Sequence, residues 1–435
     1  MKLGYVKRAA LVATTISMAV ALAACGSDGN DNPDDGFQAP TELAEPGTDI
    51  PAVTVEAGFS PYADELLMVA GINRGYFDEV NIAISPDPYG AETDLIAALT
   101  PLLNDQVELG SGYAPAIVSQ LDNVDTVVTF GIQDVFYGYR ILAPVGKYET
   151  LQDFMDAGDS YEEAVTNTLA QMKGQNVILR DGVVPTFYNL IGETGGTGMQ
   201  DWNVQYLANP DIVRAAQSGQ SDFVSPTGAV EIVRLQQDGW EPLIELREVI
   251  ENEPKDATTS LRSTFSGYLT TRDYAEENWE TILRVTSIMY RLIDDLEADP
   301  EATAADFVDY VNSYTGSSLT AAELAKTFDG LYSVRNFEEA AEFYTDEDAD
   351  FYFDEVAGAQ IDELAEQGVI GEGHGPGSLS IAGEVYAALV KYREEADALL
   401  ETIPDGDLKT RAQTQYDARN YLDAYRIAAA AAETE

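Results

Sequence analysis

Chemistry that needs a thiol or an imidazole has little to work with in this chain, whose 435 residues include one cysteine and one histidine. That count excludes disulfide frameworks, Cys/His zinc sites, iron–sulfur ligation and Cys–His catalysis. A Ser–His–Asp arrangement would have to use His374. Its surroundings, Gly371-Glu372-Gly373-His374-Gly375-Pro376-Gly377, are too rich in Gly and Pro for a regular element, and a solvated loop histidine is expected. No catalytic residue, metal ligand or cofactor is assigned. What remains is a set of short polar turns, each following an apolar run. They carry Ser60 and Tyr62; Tyr89 and Gly90; Ser111, Gly112 and Tyr113; Gln133, Asp134 and Tyr137; Arg180, Asp181, Val183 and Thr186; and Ser225 and Thr227. Hydroxyls, free backbone N–H groups at helix starts and aromatic walls suit an anionic or polar small ligand. The Arg180 fork would grip a carboxylate or sulfonate, or pair with Asp181 or a surface acid. Phe130, Phe136, Tyr137, Tyr139, Phe187 and Tyr188 would stack on a flat heterocycle or simply fill the core.

Composition narrows the setting for these turns. With 24 Lys+Arg against 76 Asp+Glu, the net charge is -52, which argues against any nucleic-acid partner. Hydrophobic residues make up 45% and aromatics 10%, so the chain has ordinary core-forming content and two domains are expected at this length. Lys2, Lys7 and Arg8 precede an uncharged stretch from Ala9 to Ala24, the pattern of a signal peptide over residues 1–24. Leu22-Ala23-Ala24-Cys25 resembles the bacterial lipobox, in which the Cys thiol receives diacylglycerol and the protein becomes a lipid-anchored, extracytoplasmic one on the cell membrane. Residues 25–50, with Pro33, Pro40, Pro46 and several Asp, are expected to be a flexible tether.

The elements that must position the turns alternate. Strands are expected at Val53–Phe59, Asn81–Ser85, Val107–Gly110, Val124–Phe130, Tyr139–Pro144, Val177–Leu179, Val204–Leu207 and Phe223–Val224, with helices between them, including 62–74 and 92–103. Such alternation predicts an α/β fold of parallel sheets covered on both faces, with ligands at the carboxyl ends of strands. From Arg272 onward the pattern is almost wholly helical. Leu103–Ser111 and Gln217–Ser225 echo each other as helix end, polar turn, short strand and hydroxyl residue.

Ser60-Pro61-Tyr62 after the first strand, Gly71-Ile72-Asn73-Arg74-Gly75-Tyr76-Phe77, Met172-Lys173-Gly174-Gln175-Asn176-Val177, the two echo segments and Thr270-Thr271-Arg272-Asp273-Tyr274 occur in an order that resembles a known family. It is the periplasmic-type solute-binding proteins of ABC importers, in the nitrate, sulfonate, taurine and thiamine-precursor group, and the resemblance covers 53–370. It implies a two-lobed, type II periplasmic-binding-protein-like fold closing on a ligand. Lobe 1 would comprise 51–142 plus 245–370, lobe 2 would comprise 143–244, and a helical C-terminal extension would follow at 371–435. The chain would cross between lobes at Tyr139–Val145 and Pro242–Leu246. It further implies a monomer, not an enzyme, that delivers a small organic solute to an ABC permease and ATPase. Where the family has Gly and Asp in the first echo, this chain has Asp105 and Glu108, so fine specificity does not carry over. A pyrimidine-synthesising branch of the same fold needs histidines and a cysteine-rich iron motif that are absent here.

Two other readings stand beside this one: a lipoprotein presenting its ligand to a sensor or surface partner, and a secreted carboxylate-dependent hydrolase. Residues 380–402 and 407–432 read as two amphipathic helices around Pro404-Asp405-Gly406, either a hairpin packed on lobe 1 or an interaction arm. Removing residues 1–24 takes away three cations and no acid and leaves a charge of -55. Only 8 of the cations are lysines, against 16 arginines, and such a surface is expected of a protein adapted to salt. An anion would enter the cleft against this field, which gives a neutral or zwitterionic ligand more weight. Salt adaptation predicts loss of the folded far-UV circular dichroism signal on dialysis into low salt; stability unchanged from about 0.05 to about 2 M salt would refute it.

Overall fold

The computed structural model describes residues 37–93, 99–124, 126–180 and 186–433. The expected signal peptide, Cys25, Asp181 and Val183 lie outside the described residues. Twelve strands follow in chain order: β1 Val53–Phe59, β2 Ile82–Ser85, β3 Ala91–Glu92, β4 Leu109–Tyr113, β5 Val127–Phe136, β6 Arg140–Pro144, β7 Asn176–Arg180, β8 Asn203–Leu207, β9 Phe223–Ser225, β10 Trp240–Glu245, β11 Phe265–Thr271 and β12 Tyr332–Val334. They form two sheets. One has the order β12-β5-β11-β4-β1-β2, with β3 also pairing to β1; the other has the order β10-β6-β9-β7-β8. This is the two-lobed α/β architecture, and the chain passes between sheets at 137–139 and again after Glu245.

The sheets are mixed, not purely parallel as expected. β1 runs parallel to β2, β3 and β4, and β7 runs parallel to β8 and β9, but β11 is antiparallel to both β4 and β5, β12 is antiparallel to β5, and β6 is antiparallel to β9 and β10. The reversal arises because the chain re-enters the first sheet through β11, between β4 and β5. β11 also extends its partners. It pairs Tyr268 with Ser111, Gly267 with Gly112 and Ser266 with Tyr113, so these three residues continue a strand expected to end at Gly110. All ten residues of β5 are buried, which fits a central strand clad on both faces. Gln133 and Asp134, expected in a loop, therefore sit inside a strand.

Burial alternates as the pleat requires. In β7, Val177 and Leu179 join the main core while Ile178 turns to a smaller cluster with Leu142, Ile212, Val224 and Trp240. The helix Trp279–Ala298 covers the first sheet. Its Met289 lies over Gly131, and its Ile288 and Leu292 lie against Gly71.

The C-terminal region is three helices, Ala382–Thr402, Asp407–Asp417 and Tyr421–Glu433. The expected continuous helix over 407–432 breaks where Arg419 takes a left-handed φ of 64°. Arg419 in turn holds Asp294 at 2.5 and 3.0 Å and Glu338 at 2.9 Å. These helices pack on the first sheet's own elements. Ile381 N donates to Thr129 O of β5 at 2.8 Å, and Arg284 of the covering helix meets Asp423 through two bonds of 2.7 and 2.9 Å.

The expected tether is docked where it can be described. Phe37 is buried against Trp279 with ring centroids 5.3 Å apart. Ala44 N donates to Tyr392 Oη at 2.9 Å, Arg411 to Thr48 O at 2.5 Å, and Gly47 N to Arg426 O at 3.0 Å. His374 is not a solvated loop residue either. Its Nε2 lies 2.8 Å from Asp122 Oδ1, and Gly371 N donates to the same carboxylate. Asp122 is thereby held below the usual carboxylate range, first by the His374 bond and then by Gly371. Among the described residues no helix is long and apolar enough to cross a membrane.

Arg284 and Asp423 are both buried, at 3% and 1% side-chain exposure, and removing Asp423 leaves the buried Arg284 guanidinium only Glu280 at 2.9 Å, itself 41% exposed. Asp423→Asn should cost about 3–5 kcal/mol in urea unfolding, while the double replacement Arg284→Met with Asp423→Leu should recover most of it. Equal loss in both variants would show that packing, not charge pairing, is at stake.

Candidate functional site

The carboxyl ends of β1 and β4 meet the middle of β5 in a polar floor. Ser60 N donates to Ser111 Oγ at 2.9 Å, and Ser111 Oγ donates to Glu65 Oε2 at 2.7 Å. Gln133 Nε2 donates to Asp64 O at 2.9 Å and to Asp134 Oδ2 at 3.2 Å, and Tyr268 Oη donates to Gln133 Oε1 at 2.8 Å. Ser60, Asp64, Glu65, Ser111, Gln133 and Asp134 are all buried. Burial, and then the negative charge of Asp64, pushes the Asp134 carboxyl well above its ordinary range. Burial also raises Asp64, against hydrogen bonds from Tyr332 and Ser266. The phenols of Tyr113, Tyr268 and Tyr332 are raised by burial foremost, with these acids adding to it.

The second sheet closes over this floor. Arg180, at the end of β7, hydrogen-bonds the Tyr62 hydroxyl, whose pKa burial still raises. Beside them, Glu231 of the helix Ala229–Gln237 is raised by burial. A series of aromatic contacts also links the two sheets. Tyr113 Oη donates to Tyr139 Oη at 3.0 Å, Tyr139 stacks on Phe187 at 6.1 Å, Phe187 meets Tyr188 at 5.2 Å, and Tyr188 Oη lies 2.6 Å from Ser225 Oγ. Burial pushes the Tyr139 phenol up to about 12. Thr186 Oγ1 reaches Glu363 Oε1 at 3.4 Å.

The structure therefore gathers Ser60, Tyr62, Ser111, Tyr113, Gln133, Asp134, Arg180, Thr186 and Ser225 around the contact of the two sheets. Other expected residues serve elsewhere. Tyr89 Oη donates to Asn73 Oδ1 at 3.0 Å and its ring packs on Tyr310 at 4.9 Å. Gly90 has φ +79°, and a Cβ there would meet Ala57 O at 2.7 Å. Gly112 leaves room for Leu269 of β11. Tyr137 lies under Arg247, 4.4 Å from ring to guanidinium. Thr227 N donates to Asn209 Oδ1 at 3.1 Å. Sequence reasoning missed Asp64, Glu65, Tyr268 and Tyr332. Asp64 and Glu65 lie just past Ser60-Pro61-Tyr62-Ala63, but with 76 acids two more carry no signal; the tyrosines lie on β11 and β12, strands that were not expected.

Where the chain enters β6 and leaves β10, side chains alternate between two faces. Tyr139 points to these aromatic contacts, while Arg140 pairs with Glu245 at 3.0 Å. Arg140 and Glu245, with Gln237, Arg247 and Lys326, line a 530 Å³ cavity. Glu248 accepts from Glu245 N at 2.9 Å, and burial foremost pushes its carboxyl from 4.5 up to about 7. A raised acid favours its neutral form in the fold, so its contribution to stability is complete below pH about 4.5 and lost as pH rises through about 7. Glu248→Gln should therefore gain on the wild type between about pH 5 and 8, by about 1 kcal/mol after allowance for solvent screening. Parallel thermal-melting curves for the two proteins over that range would refute it.

No family model matches the chain, and no curated protein does. It is similar to solved structures, among them the periplasmic aliphatic sulphonate binding protein SsuA from Escherichia coli, at 19% identity over 77% of this chain and 91% of that one, with a TM-score of 0.50. Another is the ligand binding component of an ABC-type import system from Staphylococcus aureus with zinc bound, at 8% identity over 77% and 98%, with a TM-score of 0.50. In this chain, among the described residues, no three His, Cys, Asp or Glu side chains are grouped to hold a metal ion. Sheet order, strand crossings and these likenesses together give the chain the two-lobed, type II periplasmic-binding-protein fold, extended by C-terminal helices.

Proposed function

We propose that the protein is an extracytoplasmic solute-binding component of an ABC importer, anchored by a lipid on Cys25, which captures a small organic solute between its lobes and presents it to a permease and ATPase. The observation that carries this reading is the meeting of the two sheets' strand ends over a buried polar floor, with Arg180 of one lobe bonded to Tyr62 of the other. A solute touching both lobes would favour the closed form by its differential contacts, and closure is what a permease can recognise. The sheets join through two adjacent antiparallel strands, β6 and β10, a connection on which they can swing. A sulfonate, taurine, nitrate or thiamine-precursor class of solute follows from the family resemblance, and a monomer suffices because the cleft is built within one chain.

A thermal-shift screen of the purified protein with nitrate, alkanesulfonates, taurine, bicarbonate, aminopyrimidines and flavins should find a solute that raises the melting temperature. Arg180→Ala should weaken that solute about tenfold or more through loss of the interlobe contact. Indifference to the whole panel, joined with hydrolysis of a generic ester or glycoside, would overturn the proposal.

A further inference from the structure

We infer that the solute carries a cationic group with N–H donors, a protonated amine or amidine, seated on Asp64 and Asp134; this rests on the solute-binding reading above. Asp64 and Asp134 are 2% and 0% exposed. Each leaves its Oδ1 buried without a hydrogen-bond partner, while Tyr332, Ser266 and the backbone N–H groups of Asp64 and Glu65 serve the Asp64 carboxyl and Gln133 serves Asp134. A buried carboxyl oxygen left in this state is costly, and two of them in adjoining groups are a place prepared for donors.

The protein does not supply those donors as a cation of its own. Among the described residues neither acid forms an ion pair, although Arg284, Arg140, Arg74 and Arg419 all pair with acids elsewhere. Arg335 lies within electrostatic range of Asp134, but its Nε is committed to Glu342 at 2.8 Å and its Nη1 to Ser333 Oγ at 2.5 Å. The complement inferred here is an organic cation that brings its own N–H donors. Oxygens that lack donors select N–H groups over a quaternary ammonium, which has none. Tyr113, Tyr268 and Tyr332 lie within electrostatic range of both acids and add aromatic surface that favours a cation. The protein's net charge of -52 draws such a solute in and slows an anion.

The groups facing the pair are Glu65, Gln133, Ser266, Arg335 and the three phenols. Burial raises both carboxyls and so favours their protonated form when no cation is present. The arriving ammonium takes the proton's place, the carboxyl ionises against the N–H donors, and the proton goes to the solvent.

Calorimetric titration of the purified protein, in two buffers of different ionisation enthalpy, tests this with matched probes: taurine against isethionate, and putrescine against 1,4-butanediol. At least one amine is expected to bind about tenfold or more tightly than its amine-free match, releasing about one proton. Asp134→Asn should remove both the preference and the proton release, with a melting temperature equal to or above the wild type's because a buried acid is gone. Isethionate or ethanesulfonate binding as well as taurine, or amine binding unchanged in Asp134→Asn, would overturn the inference and leave the solute-binding reading intact. Binding of no amine overturns it as well, and if the amine-free probes and the broader solute panel also fail, the solute-binding reading falls with it.

Discussion

A carboxylate taken out of water must keep a proton, gather hydrogen bonds or meet a cation, and this constraint shapes the molecule. With 76 acids and 24 Lys+Arg, most acids have to remain in solvent, and the arginines go where elements must be joined. Arg74 ties the helix Leu67–Asn73 to Asp295 and Asp306. Arg284 and Arg419 bolt the C-terminal helices to the helix Trp279–Ala298 and its surroundings. Arg140 pairs with Glu245 between β6 and β10. Each pair draws together segments far apart in sequence, and planar guanidinium forks do this better than flexible ammonium groups. The polar floor between the lobes is the exception that the rest of the distribution makes visible, since Asp64 and Asp134 are buried as deeply as Asp423 but form no ion pair among the described residues.

The same constraint explains why the extension beyond the two lobes is part of the folded body. Phe37 on Trp279, the bonds from 44–48 to Tyr392, Arg411 and Arg426, and the Arg284–Asp423 pair make the segment after residue 36 and the last three helices one layer. That layer backs lobe 1 through β5, at Thr129. The strand that carries Gln133 and Asp134 is thus braced on its far side, so the proposed closure would move one lobe without deforming the floor.

How much of this could be read from sequence depends on whether the signal was local. β1 was expected at its observed bounds because Val53-Thr54-Val55 is β-branched and Ser60-Pro61 stops the run. The strand ends of β7 and β9, and hence Arg180 and Ser225, were legible for the same reason. β11 was not. Phe-Ser-Gly-Tyr-Leu-Thr-Thr is short, contains Gly, and becomes a strand because β4 and β5 flank it, a tertiary cause that periodicity cannot show. With β11 unseen, Ser111–Tyr113 looked like a loop, and the antiparallel character of the sheet was hidden. The tether was misjudged because Pro- and Asp-rich composition reports a lack of regular structure, not a lack of partners. His374 was misjudged likewise, its partner Asp122 lying 252 residues away.

Acidity does not act evenly on the cleft. Arg180 brings one positive charge to the closing face, but it is bonded to Tyr62 and lies in the field of Glu231, so its pull on a distant anion is already partly spent. Across from it stand Asp64, Glu65 and Asp134. A solute with an anionic end could use Arg180 only after desolvation at short range, whereas a cationic end is attracted along the whole approach. Salt shortens that attraction to a few Å without touching the contacts made after closure. In the proposed solute-binding role, recognition would separate into a long-range step set by the surface charge and a short-range step set by the buried floor, and the two agree in sign for a solute that carries an ammonium group.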